Sequence, residues 1–530
     1  MGIHIGITVS TLVSRERWQA VYGEALGLAE KMGLADHQER EIHGHVVRCL
    51  VPTAETGWNR KKGFWAVADY HFRDSAEGFF FPKELRPPED DEPVDILALR
   101  ARQMDAIRTE IPEKNYQIVW GDKTQGHPYH ISLLAIGCLV EDRLGDDALV
   151  HYDINAGQCR RAVQLANRFL EKPVRVPCQC DMEPWFKRVS RVNLDDAEKI
   201  RMAVELFIGR KDSAFGEKLR SVFPHDLLLQ YWEEEFAEYG MKTNGFAWKL
   251  KDYLSMGFDI GDLCGIVKFS DEEGHEQFIR MLMDSKLHWK EKDTSDWMVQ
   301  DPEDPALESI ESQLIRAFAS GARNRKVDRY IPIEGLRQIL RDRFGEDCDT
   351  DGFVDEYLQQ EKELEAACAG KKEQKDWTGE LNRIMDNAHV KLKKRFEEYD
   401  IPIENYLAFY EPGDTVAPEV AELLQRITAS GDLLMDGDHY KALAAESVMH
   451  RGTWLVSASG RFNGDLNDMD WEQIFTNLEK EPDSFSRYYT LFCIQLDKPG
   501  IRHAVVALVV NDELYAYARS LPPLPPGEKG

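Results

Sequence analysis

The stretch from Tyr116 to Asp181 constrains the fold more than any other part of the chain. It contains an apolar strand, the helical segment Ile131–Arg143, the strand Ala148–Tyr152, the helical segment Ala156–Leu170 and the strand Pro173–Pro177. Short strands that alternate with helices of this length imply crossover connections and a locally parallel sheet. The sequence therefore predicts an α/β unit with a partly parallel sheet, in which the last two strands are neighbours.

The two helices of this unit differ in pattern. One face of 156–170 carries the apolar residues Cys159, Ala162, Val163, Ala166, Phe169 and Leu170, which is the spacing of an amphipathic helix. Asn155 is its expected N-cap, and Gln158 completes a capping box. The segment Ile131–Arg143 is apolar on nearly all sides, so it is predicted to be buried and to end at Gly145.

The chain has 530 residues, which is too many for one ordinary hydrophobic core. Strand signals dominate the first part, helical signals the middle, and both return after Pro402. The predicted domains are an α/β domain over 1–190, a helical region over 194–400, a small α+β domain over 401–520 and a flexible tail over 521–530.

The small C-terminal domain is predicted from three apolar segments separated by turns. Tyr488–Leu496, Ile501–Val510 and Leu514–Arg519 are separated by DKPG and NDE, a pattern typical of an antiparallel meander. The overall fold class is therefore α/β plus α, with an α+β end.

The charge of the chain limits its partners. Lys and Arg number 66 against 94 Asp and Glu, which gives a formal net charge of -28. Such a chain repels nucleic acid phosphates and anionic lipids, so we expect neither nucleic acid nor membrane as a partner, and another protein instead. No run of 18 apolar residues and no signal peptide is present, which predicts a soluble cytoplasmic protein.

The nine cysteines are scattered and odd in number, as expected for reduced thiols. Cys178 and Cys180 form a C-x-C pair without the spacing of a zinc or redox site. The glycines of GDKTQG over 121–126 lie at P-loop spacing, but the lysine and hydroxyl residue that bind phosphate and magnesium are missing. The fingerprints of dinucleotide-binding, serine-hydrolase, zincin and kinase sites are also missing.

Candidate catalytic residues lie at the ends of the predicted parallel strands. Asp122, His127 and His130 follow the first strand, Asp153 follows the second, and Asp181 comes after the third. Open α/β sheets bind ligands at this edge, and carboxylates with imidazoles can bind a metal or transfer protons. The competing interpretation is that the aspartates cap turns and that His130 only begins a helix.

A second candidate site lies at residues 347–355, which read DCDTDGFVD. The acidic residues at the ligand spacing are Asp347, Asp349, Asp351 and Asp355. With Gly352 at the bend, this segment resembles the calcium loop of EF-hands, and the resemblance implies a weak Ca²⁺ site. Position twelve is Leu358, where that family has a bidentate glutamate, and no second loop pairs with this one. A solvated connection between two helices is the alternative.

Two hypotheses for the function follow. The first is a binding or regulatory protein, because the strong catalytic motifs are missing and the chain is modular and rich in aromatic residues. The second is a metal-dependent enzyme, similar to a hydrolase, with its site at the strand ends. Convergence of Asp122, His127, Asp153 and Asp181 in one cleft favours the enzyme, and dispersal favours the binding protein.

Overall fold

The computed structural model describes residues 3–56, 61–104, 114–241, 243–269, 272–288, 327, 329–369, 407–462, 465–481, 483–494 and 499–522. The strands are β1 (His4–Ser10), β2 (Leu34–Ile42), β3 (His45–Pro52), β4 (Gly63–Asp69), β5 (Ser75–Pro82), β6 (Tyr116–Lys123) and β7 (Ala148–Tyr152). The first four helices are α1 (Arg15–Lys31), α2 (Ile96–Met104), α3 (Tyr129–Leu144) and α4 (Ala156–Asn167).

The mixed helix and strand composition is confirmed, but the prediction of a partly parallel sheet is wrong. The strands form a three-stranded sheet in the order β6-β1-β7 and a four-stranded sheet in the order β3-β2-β4-β5, and every pair is antiparallel. The first strand of the chain lies between β6 and β7. These two strands therefore run in the same direction without being neighbours.

The expected third parallel strand, Pro173–Pro177, is not a strand. Side chains occupy the edge of β7 where it would pair: the Val150 N–H donates to Glu141 at 2.9 Å, and the Val150 carbonyl accepts from Gln179 at 2.7 Å. The segment itself is held by Asn167, which bonds both backbone groups of Val174 at 2.7 and 3.0 Å. Satisfied backbone groups leave no template for another strand.

The two helices of the central unit are confirmed. α3 is buried almost along its whole length, and Gly145 follows it with φ 63°, a conformation that glycine adopts without strain. Asn155 and Gln158 form the expected capping box at the start of α4. Both helices pack in one core with the inward face of β1.

The described part of 194–400 is helical. Helix α5 (Met182–Val189) comes just before this region. The helices within it are α6 (Asp196–Glu205), α7 (Ser213–Val222), α8 (His225–Ala237), α9 (Asn244–Ser255), α10 (Ile260–Ile266), α11 (Glu272–Asp284), α12 (Ile333–Phe344) and α13 (Thr350–Ala369). They share a second core that also contains Leu149 of β7 and the buried face of α2. Residues 370–400 lie outside the described part.

The predicted α+β end is wrong, because 407–522 contains helices and no strand among its described residues. The helices are α14 (Pro418–Met435), α15 (Asp438–Ala444), α16 (Val448–Ala458), α17 (Asp468–Lys480), α18 (Ser484–Cys493), α19 (Pro499–Val510) and α20 (Asp512–Ser520). Their core also contains Val47, Cys49 and Val51 of β3. Most of the tail predicted over 521–530 lies outside the described residues.

Among the described helices, none combines the length and apolar character that crossing a membrane requires.

Candidate functional site

The ends of β6 and β7 meet at one edge of the three-stranded sheet, with the start of β1 between them. Asp122 lies opposite Ile5 in the register, and the Asp153 N–H donates to the His4 carbonyl at 3.1 Å. The Asp153 carboxylate accepts from the His4 N–H at 3.0 Å and lies 3.2 Å from His4 Nδ1. Asp122 and Asp153 thus lie on either side of the start of β1, at one edge of an antiparallel sheet.

The predicted residues at this edge have different environments. Burial, together with the nearby charge of Glu77, raises the pKa of Asp122. Burial lowers the pKa of His130 to about 4, so its imidazole is neutral near pH 7, and its Nδ1 lies 2.8 Å from the Thr124 hydroxyl. His130 therefore anchors the loop before α3.

His127 lies elsewhere, where the N-terminal sheets meet the C-terminal helices. Its Nδ1 is 3.9 Å from the carboxylate of Asp74, and His503 of α19 lies on the other oxygen of that carboxylate at 3.1 Å. Asp74 is buried and both imidazoles are partly exposed. Although burial alone lowers the pKa of His503, the bond to Asp74 outweighs that effect and the pKa is raised.

Further charged pairs line this contact between the chain's two ends, which we call the seam. On the C-terminal side the acceptors are Asp465, Asp468 and Asp470. Arg73 donates to both oxygens of Asp470 at 2.9 and 3.2 Å, and Arg40 donates to Asp468 at 2.8 Å. Burial raises the pKa of Asp465 to about 6 despite its pairing with Arg502.

The four expected strand-end residues therefore disperse. Asp122 and Asp153 flank β1, His127 lies at the seam, and Asp181 lies 3.5 Å from Arg160 beside α5. Among the residues that the structure describes, no group of three or more histidines, cysteines and carboxylates is arranged to hold a metal ion.

The residues predicted as a calcium loop begin a helix, because α13 starts at Thr350. Asp349 accepts from the Gly352 N–H at 3.0 Å and caps this helix; a Cβ at Gly352 would lie 2.4 Å from that carboxylate. Asp351 accepts from Arg341 at 2.7 Å and from Arg337 at 3.3 Å.

Asp355 is also paired with Arg337, while Asp347 lies in the turn before the cap. In this conformation two of the four predicted ligands face arginines, and a third bonds to the helix backbone.

One exposed surface was not predicted from the sequence. Tyr152 is 40% exposed, Ile118 of β6 is 46% exposed, and both side chains lie beside Gly121. The guanidinium of Arg100 on α2 lies over the Tyr152 ring, 4.8 Å from its centroid. We call Arg100, Ile118 and Tyr152 the Tyr152 patch.

Sequence reasoning missed the seam and the patch for different reasons. Asp74 and His503 come from opposite parts of the chain, and no local pattern connects them. An arginine on an amphipathic helix ordinarily indicates a solvated face, so Arg100 gave no signal. Only the tertiary packing brings these groups together.

Comparisons with protein-family models, with curated proteins and with solved structures found no match for this chain.

Proposed function

We propose that this protein is a binding or regulatory protein that engages another protein through the Tyr152 patch. The observation that carries the proposal is the exposed aromatic ring of Tyr152 beside Ile118, with an arginine over its face. Aromatic residues and arginine dominate the energetic centres of protein interfaces.

The dispersal of the predicted acid and base residues supports the same conclusion. A hydrolase of the expected kind needs its carboxylates and imidazoles around one substrate. Here His127 lies with Asp74 at the seam, whereas Asp153 is bound by His4 at the sheet edge. The metal-dependent enzyme stays the alternative.

The backbone conformation of Tyr152 also supports a binding role for the patch. Tyr152 has φ 81°, which is costly for a bulky residue. This conformation accompanies close packing on β1, where a Cβ at Gly6 would lie 2.5 Å from the Tyr152 ring and 2.4 Å from His151. The ring position is therefore fixed by its surroundings.

Affinity capture from the source cells with the full chain as bait tests the proposal. The variant Ile118→Asp places a charge in the patch, and Trp248→Asp is the matched control, because Trp248 is 60% exposed on α9. We expect a protein that is captured by the wild type and by the control and is lost with Ile118→Asp.

The captured protein is then purified and titrated against all three chains. We expect Ile118→Asp to weaken binding by at least about tenfold. Equal affinity of the three chains would contradict the proposed role of the patch.

A further inference from the structure

We infer that Arg100 of the Tyr152 patch and the neighbouring, buried His151 form an oxyanion receptor, which binds a carboxylate or phosphate group of the partner. This inference rests on the proposed function and names the chemistry of the group recognised. Its basis is a cation that has no compensating anion among the residues the structure describes, together with one ring nitrogen and one guanidinium nitrogen that are buried and have no hydrogen-bond partner there.

The position of Arg100 follows from the helix that carries it. Asp95 caps α2 by accepting from the N–H groups of Leu97 and Ala98 at 2.9 and 3.1 Å. The side chains of Ile96, Leu97 and Leu99 are buried in the second core. Arg100 comes next and lies at the border of this core, partly exposed above the Tyr152 ring.

Arg100 has no carboxylate partner among the described residues, in a chain with a formal charge of -28. Burial lowers the pKa of Arg100, opposed only by Tyr152. The arginines of the seam differ, since Arg73 and Arg40 each bind aspartate oxygens directly. Burying part of a guanidinium without a counter-charge costs free energy, and a bound anion would offset that cost.

His151 contributes the second unsatisfied group. It is 4% exposed, and its Nε2 lies 2.8 Å from the Thr8 hydroxyl. Its Nδ1 is buried and has no hydrogen-bond partner in the described part of the chain, and the same is true of the Nε of Arg100. Burial and the charge of Arg100 lower the pKa of His151 to about 3, so the ring is neutral. When the Thr8 hydroxyl donates to Nε2, Nδ1 carries the proton and is a donor.

The ring of Tyr152 connects the two groups. It lies 4.3 Å from the His151 ring at 65°, with the Arg100 guanidinium over its face. Stacking on an aromatic face orients a guanidinium while its N–H groups stay available in plane, and this fork matches the paired oxygens of carboxylate and phosphate. Asp153, which follows Tyr152 in the chain, is bound by His4.

Two variants on one helix test the receptor in the full chain. Arg100→Gln removes the charge and the fork, whereas Arg102→Gln removes an exposed charge two residues away. The probes are inorganic phosphate and acetate, each compared with chloride at equal ionic strength, and the readouts are the melting temperature and isothermal titration.

We expect phosphate, at about 10 mM, to raise the melting temperature of the wild type and of Arg102→Gln but not of Arg100→Gln. Arg100→Lys, which keeps the charge, is expected to bind phosphate about tenfold more weakly. An equal rise in all chains would reveal general salt exclusion and would overturn the receptor, as would the lack of any rise in the wild type.

Peptides distinguish the source of the oxyanion. A phosphotyrosine peptide and a glutamate peptide of otherwise equal sequence are titrated against the wild type, and preference for either identifies the group. If Arg100→Gln loses phosphate yet still binds the captured protein with wild-type affinity, the receptor is not part of the interface and only the binding function stands. If Ile118→Asp also leaves capture unchanged, the proposed function itself fails.

Discussion

Asp122 and Asp153 occupy matching places at the ends of two strands, yet their surroundings differ. The carboxylate of Asp153 is about half exposed and pairs with His4. Asp122 is partly buried and faces the charge of Glu77, and both effects raise its pKa. A similar position in the sequence pattern therefore does not give a similar role.

The variant Asp122→Asn is expected to stabilise the fold at neutral pH by less than about 1 kcal/mol, because it removes a desolvated charge beside another carboxylate. A folded-state pKa above the unfolded value means that ionisation costs stability as pH rises, so the advantage of Asn should vanish below about pH 4. Thermal melts at both pH values measure this.

Asp153→Asn is the matched control, since it weakens an ion pair and should be neutral or slightly destabilising. Melts with added Mg²⁺ or Mn²⁺ test the enzyme alternative. A metal-induced rise in the wild-type melting temperature that both variants lose would support a metal site at this edge.

At the level of helices and strands, the sequence predicted well those elements whose signals are local. The cap at Asn155, the amphipathic face of α4 and the end of α3 at Gly145 all depend on neighbouring residues. The pairing of strands, in contrast, does not depend on neighbouring residues alone. The sequence of Pro173–Pro177 does not indicate that the side chains of Glu141 and Gln179 occupy the edge of β7.

The C-terminal helices show a second limit of sequence prediction. Ile501–Val510 is rich in β-branched residues, which favour strands, but it forms most of α19 and is largely buried in the third core. A short apolar segment that is buried on most sides has no periodicity that separates helix from strand. Tertiary packing decides its structure.

For the same reason the candidate site was only partly predicted: Asp122 and Asp153 meet at one edge, whereas His127 pairs with residues far away in the chain.

The helical conformation at the start of α13 is expected to weaken calcium binding at residues 347–355. Binding at 347–355 requires Asp351 to leave Arg337 and Arg341 and the first helical turn to open. We therefore expect a dissociation constant no tighter than about 10 μM. Isothermal titration of the full chain measures it, with Asp347→Asn as the ligand control.

Replacing Arg341 by Gln frees Asp351 in part and should tighten any calcium binding severalfold. Submicromolar affinity in the wild type, or no effect of Asp347→Asn on measured binding, would contradict this account of the loop.

In the whole molecule, the seam connects the two ends of the chain through both apolar and charged contacts. β3 contributes to the core of the C-terminal helices, and the Leu50 N–H donates to the Leu466 carbonyl at 3.0 Å. Asp74 lies between two imidazoles at this contact. The association of the two parts should therefore respond to the protonation of His503.

Asp465 of the seam titrates, as do Asp69 and His37, which interact with seam charges. The direction of each pKa shift identifies the pH window for a test. Burial raises the pKa of Asp69 to about 7 and that of Asp465 to about 6, so their contributions to stability fall as pH rises through those values. Burial, with the charges of Arg48 and Arg502, lowers the pKa of His37 to about 4, so its contribution falls as pH decreases below its ordinary value. Asp69 is the last of the three to titrate, so all three groups have largely finished titrating only above about pH 8.

The pKa of His503 is raised by Asp74, so the stability from this pair is fully present below about pH 6.5 and is lost as pH rises through the raised value. We expect the wild type to be more stable than His503→Gln near pH 7, and the difference to shrink toward about pH 9, in urea melts of the full chain. His450→Gln is the matched control, because His450 is an exposed histidine whose ion pair, among the described residues, is with Glu446 four residues earlier in the chain. The stability of the His450→Gln variant should vary with pH in the same way as that of the wild type. If His503→Gln ran parallel to the wild type across this window, the Asp74–His503 pair would not control the seam.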